Sequence, residues 1–157
     1  MYLQGVTTQK FPFKSYSASA TLLATQSGSA IGVVGNGTTT ITLTLPTAAA
    51  GLRFKIFPMT TVMSGGKGIN IYTGSASIFF GGSQLSVDNV TPSATLGPKL
   101  FAAAGTETYI NWDALVQGGA LGSQVELIAV SSTLWIASSV ARAIGTVVTP
   151  FTTAALA

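Results

Sequence analysis

The chain contains no histidine and no cysteine. Without an imidazole there is no Ser-His-Asp or Cys-His machinery. Without a thiol there is no thiol nucleophile, disulfide frame or iron–sulfur cluster. Zinc sites draw almost always on those two residue types, so a zinc enzyme or zinc finger is excluded. Charge is nearly as scarce: 7% of residues are charged, against about 25% in an ordinary domain. The four carboxylates, Asp88, Glu107, Asp113 and Glu126, are dispersed. Glu107 and Asp113, the closest pair, would lie about 20 Å apart on one strand, farther than glycosidase carboxylates stand. They read as strand-end and turn charges. No Asp-rich loop offers the clustered oxygens of a calcium site. No catalytic residue, metal or cofactor is expected.

The net charge is +3, from seven basic and four acidic residues. The cations are spread along the chain, whereas nucleic-acid binders cluster Lys and Arg on one face or segment. Nucleic acid is therefore not an expected partner. Mean hydropathy is +0.54, yet Gly, Ser and Thr interrupt every apolar stretch well short of the roughly 20 residues a spanning helix needs. Met1 to Gly5 lacks the basic and apolar regions of a signal peptide. No membrane association is expected.

The 157 residues suffice for one domain with a real core. Ser and Thr make up about a quarter of them, and Gly another 18 residues. Apolar residues alternate with polar ones almost throughout, the mark of strands with one buried face. Thr38 to Leu45 alternates Ile41, Leu43 and Leu45 with Thr and stops at Pro46. Leu52 to Phe57 places Leu52, Phe54 and Ile56 opposite Arg53 and Lys55. Further strands are expected at 69–72, 77–80, 108–112 and 144–149, the last ended by Pro150. Gln124 to Val130 and Leu134 to Ala137 read as a hairpin about Ser131-Ser132-Thr133. Ser138 to Ala143 fits strand or one helical turn. Strands are also expected at 19–25 and 31–34, with a turn at Asn36-Gly37. Thr47 to Ala50 suits a single helical turn closed by Gly51. The long loops are 58–68 and 88–105.

About ten short strands with turn residues between them predict an all-β fold, an antiparallel β-sandwich or jelly-roll-like domain. It would span 17–150, with an extended N-terminal arm over 1–16 and an apolar C-terminal tail over 151–157. Gly65-Gly66-Lys67-Gly68 lacks the Ser or Thr that a phosphate loop needs after its Lys. Asn36-Gly37-Thr38 and Asn89-Val90-Thr91 match the glycosylation sequon but read as turns. Trp112 and Trp135 suit a core or an interface better than a sugar-stacking platform. A domain with so little charge would associate if its surface stayed uncovered, so the chain is expected to live in an assembly.

Two stretches carry a resemblance. Ile41-Thr42-Leu43-Thr44-Leu45-Pro46-Thr47-Ala48-Ala49-Ala50-Gly51-Leu52-Arg53-Phe54 resembles a strand–LPxAxAG–strand element of tailed-phage structural proteins. Val125-Glu126-Leu127 through Leu134-Trp135-Ile136-Ala137-Ser138-Ser139 resembles the hairpin that often closes the same domains. Thr7-Thr8-Gln9-Lys10-Phe11-Pro12 is similar to the N-terminal arm of phage head decoration, or cement, proteins. Those arms continue with a Leu-Gly-Thr-Arg run, where this chain has Phe13-Lys14-Ser15-Tyr16. The resemblance implies a virion component without catalytic residues: a capsid decoration protein on the phage head, trimeric, stabilising contacts between capsomers of the major capsid protein. The arm would lie along a capsid-protein strand edge, with Phe11 and Phe13 in pockets beside Pro12. Phe151 in the tail is a second expected contact. The alternative is a tail-fibre, spike or baseplate module that binds a host surface.

Overall fold

The computed structural model describes residues 11–60, 67–88 and 98–156. Two facing β-sheets enclose one hydrophobic core. The early chain gives β1 (Phe13–Tyr16), β2 (Ala20–Thr21), a single 3-10 turn (Ala24–Gln26) and β3 (Ala30–Val33). The middle gives β4 (Ile41–Thr44), β5 (Arg53–Pro58), β6 (Ile69–Tyr72), β7 (Ile78–Asp88) and β8 (Lys99–Ala102). The last third gives β9 (Tyr109–Trp112), β10 (Gln124–Ala129), β11 (Leu134–Ala143) and β12 (Phe151–Thr152). The larger sheet has the order β1-β3-β5-β10-β11-β7-β8, the smaller β12-β9-β6-β4-β2.

The all-β sandwich stands, but its sheets are mixed rather than wholly antiparallel. From β1 to β7 successive strands alternate between the two sheets. Each link reverses the chain into the opposite layer, so strands two apart run the same way and pair in parallel. β1, β3 and β5 do this in one sheet, and β2, β4 and β6 in the other. β7 also runs parallel to β11. The expected hairpin is present, with β10 antiparallel to β11.

The period-2 pattern places the core. Ile41, Leu43, Phe54, Ile56, Ile69 and Ile71 all point between the sheets and are buried. Burying each such side chain fully contributes roughly 1.5–3 kcal/mol. The Asn36 side-chain oxygen accepts the backbone N–H groups of Thr38 and Thr39, closing the expected turn with Gly37 at φ +76°. That left-handed conformation suits glycine.

Several strands lie elsewhere than expected. β2 covers only two residues of 19–25, and Leu23 then leads into the 3-10 turn. β7 runs eleven residues, beyond Phe80, through a register shift opposite Trp135/Ile136. β8 falls inside the expected second loop. Residues 138–143 are strand, the continuation of β11. Residues 144–149 are not a strand. Ile144 and Gly145 donate their N–H groups to the Leu115 carbonyl and Val148 to that of Val116, both in the loop after β9. Thr47 to Ala50 forms a turn rather than a helix, and Gly51 at φ +94° donates its N–H to the Ala129 carbonyl.

Both expected appendages enter the sandwich. Phe13 to Tyr16 of the arm are the edge strand β1. The tail begins with β12, paired to β9. Asn111 Nδ2 then donates to the Ala154 carbonyl at 3.0 Å, and Leu156 donates its N–H to Asn70 Oδ1 at 3.1 Å. Residues 1–10 of the arm, Gly65-Gly66, the Asn89-Val90-Thr91 sequon and Ala157 lie outside the described residues.

Candidate interaction surface

The larger sheet turns one face to the core, and among the described residues no element covers the other. β11 alternates strictly, with Trp135, Ala137, Ser139, Ala141 and Ala143 buried. Ile136, Ser138 and Val140 therefore point outward. β7 does the same, with Gln84 and Ser86 buried and Leu85 and Val87 exposed.

Strand register assembles the outward residues into rows. One row crosses four strands as Leu100, Leu85, Val140 and Gln124. Its first three members form a ridge of large apolar side chains, Leu100 being 69% and Val140 46% exposed. The next row holds Ala102, Ser83, Ser138 and Glu126, then Lys55, Ala30 and Phe13. Its first three members are small, so the ridge is bordered by a trough. A third row holds Gly81, Ile136, Ile128 and Arg53. Among the described residues the charges on this face are Arg53, Lys55, Glu126 and Arg142, and Lys55 pairs with Glu126 at 3.6 Å.

The β1 end of the same face carries the residues singled out in the arm. Phe13 stacks on Phe57, with centroids 6.2 Å apart and planes at 30°. They meet over Gly32, where a Cβ would strike the Met59 sulfur. Phe11 is 84% exposed. It forms one wall of an open groove of about 520 Å³, floored by Gly28, Ser29 and Ala30 and faced by Arg53, Lys55 and Ile128. The groove exists because the residues leading into β3, Gly28, Ser29 and Ala30, are small. Pro12 is exposed, and its carbonyl accepts the Ala30 N–H. Phe11, Pro12 and Phe13 are thus brought together. Phe151 does not join them. It is 4% exposed and packs edge-on against Phe79, so its side chain serves the domain's own core rather than a partner.

The remaining candidates hold the scaffold. Trp112 and Trp135 are buried. Trp112 Nε1 donates to Gln84 Oε1 at 2.9 Å, linking the two sheets. Asp113 Oδ1 accepts the N–H groups of Leu115, Val116 and Gln117. Glu107 accepts those of Ala104, Gly105 and Thr106. Burial raises the Glu107 pKa, but these backbone donors and its own N–H outweigh it and hold the carboxyl below its ordinary value. Among the described residues no group of three or more metal-ligating side chains comes together. No helix among them is long and apolar enough to cross a membrane.

The smaller sheet presents a different outer row: Thr21, Thr44, Tyr72, Tyr109 and Thr152. The two tyrosine rings stack at 4.4 Å and 12°. Partial burial, and secondarily Tyr72, push the Tyr109 phenol up.

Sequence reasoning missed Leu85, Val87, Leu100 and Val140. For two of them the signal was present as the alternation Gln84-Leu85-Ser86-Val87. No family model, curated protein or solved structure matches the chain.

Proposed function

We propose that this chain is a structural component of a tailed-phage particle, a decoration protein that binds the outside of the head and stabilises contacts between capsomers. The observation that carries the reading is the uncovered apolar face of the larger sheet. Monomeric soluble proteins rarely expose contiguous apolar patches beyond a few hundred Å². Leu100, Leu85, Val140, Val87 and Ile136 lie together on this one. A face of this kind, with few charges, suits a role carried out by association. The resemblance of Ile41 to Phe54 and of the β10–β11 hairpin to phage structural domains supplies the setting. In this reading, apolar strand faces are buried against neighbouring subunits, and Phe11 and Phe13 insert into pockets on the major capsid protein.

The test is copy number in purified particles, by quantitative mass spectrometry against the coat protein. Hundreds of copies in simple ratio to the coat protein are the expected result. Absence from particles overturns the proposal. A handful of copies would move the protein to the tail. The stacked Tyr72 and Tyr109 flanked by threonine hydroxyls favour that second reading, because aromatic and hydroxyl groups together suit a host-surface glycan.

A further inference from the structure

We infer that the outer face of the larger sheet binds a second copy of this chain, sheet on sheet, about a two-fold axis lying in that face. The inference rests on this face being a protein interface and not on where the assembly is found.

The face is complementary to itself in shape. The ridge Leu100–Leu85–Val140 and the trough Ala102–Ser83–Ser138 run side by side, two residues apart on each strand. A two-fold axis along the sheet, midway between the rows, exchanges them. It lays the ridge of each copy in the trough of the other, and each strand crosses its own counterpart. Facing β-sheets pack in this way, large side chains interdigitating at about 10 Å separation. A face complementary to itself is what a two-fold interface requires.

Charge and area agree with the shape. The same axis sets Glu126 opposite Gln124, Lys55 opposite Phe57 and Arg142 opposite Ile136, so no like charges are opposed. The six strands of this sheet other than β1, at about 4.8 Å spacing and each presenting about six residues at ~3.3 Å, give a footprint of roughly 29 by 20 Å and leave Phe11 and Phe13 free for another partner. That is on the order of 600 Å² per copy, or about 1,200 Å² in all, the lower end of the range for specific interfaces. A contact of this symmetry pairs copies in twos, so it does not build a trimer.

The test is sedimentation equilibrium of the full chain from about 1 to 200 μM. The expected species has twice the 15.9 kDa chain mass, 2 × 15.9 = 31.8 kDa. Leu85→Lys and Val140→Lys each bury two lysines in the dimer and should weaken it at least about 30-fold, the hot-spot range. Both positions are exposed in the single chain, so circular dichroism and thermal midpoint should hold. If either variant fails to fold, Ser138→Lys, which fills the trough, carries the same expectation. Thr21→Lys on the smaller sheet should leave the dimer intact. A monomer at the highest concentration overturns the inference. So does a trimer, and so does a dimer indifferent to all three face variants. A dimer with these sensitivities from a protein absent from particles would sustain the inference and overturn the virion reading.

Discussion

Gln84 offers the sharpest test of how the two sheets are held together. It is fully buried on β7. Its Oε1 accepts Trp112 Nε1 at 2.9 Å from the opposite sheet and the Ser139 hydroxyl at 3.1 Å. Its Nε2 donates to the Ser86 hydroxyl at 2.8 Å and to the Gln117 carbonyl at 2.9 Å. One amide thus joins β7, β9, β11 and the loop after β9. In Gln84→Ala the indole N–H of Trp112 loses its acceptor in a dry interior, at about 1–3 kcal/mol. The cavity left by the truncated side chain adds roughly 2–3 kcal/mol. The sum is about 3–6 kcal/mol, a large share of the 5–15 kcal/mol available to an ordinary domain. At about 3 °C per kcal/mol for a chain of this size, the midpoint should fall by roughly 10–20 °C. Gln84→Met keeps the volume and loses only the polar contacts, so it should cost about 1–3 kcal/mol. Urea and thermal unfolding followed by tryptophan fluorescence measure both. A Gln84→Ala cost below about 1 kcal/mol, or a Gln84→Met variant as stable as the parent, would refute the account of the network.

Three further outcomes are expected. Phe151→Ala should lower stability by about 3–5 kcal/mol, the usual cost of removing a core aromatic; unfolding titrations check it, and a neutral result would return Phe151 to the candidate contacts. Glu107 titrates lower in the folded chain than when unfolded, so its contribution is complete above the unfolded carboxylate value of about 4.3 and fades as pH falls through the folded value. Glu107→Gln should therefore flatten the loss of thermal midpoint below about pH 4.3, and an unchanged slope would count against these backbone contacts. Asp113→Ala should destabilise by about 1–3 kcal/mol because Oδ1 caps three N–H groups, while Asp113→Asn, which keeps an acceptor oxygen, should recover most of the loss. Equal costs for the two variants would show that the cap is not what matters.

Much of the fold was legible because burial in a strand has a period of two. Ile41, Leu43, Phe54 and Ile56 could be assigned to the core from spacing alone, and Asn36-Gly37 to a turn from local chemistry. Residues 144–149 misled by composition. They are rich in β-branched residues, but the N–H groups of Ile144, Gly145 and Val148 are taken by the carbonyls of Leu115 and Val116, partners some thirty residues away. Phe151 misled for a related reason. An apolar tail looks free in one dimension, and only the pairing of β12 with β9 shows it in the core.

The candidate surface was legible only in fragments. Phe11, Pro12 and Phe13 stand together in the chain and stay together on the sheet. Leu85, Leu100 and Val140 are far apart in sequence and form one row only because β7 lies between β8 and β11. The sequence by itself determined the all-β class, the buried side of strands such as β4 and β5, and the absence of imidazole and thiol chemistry, because these follow from residue type and local periodicity. The tertiary structure decided which strands are neighbours, that alternation between layers makes many of them parallel, and that ridge and trough share one open face. Periodicity records which way a side chain points. It carries no record of the strand beside it, which depends on the path of every link through both sheets.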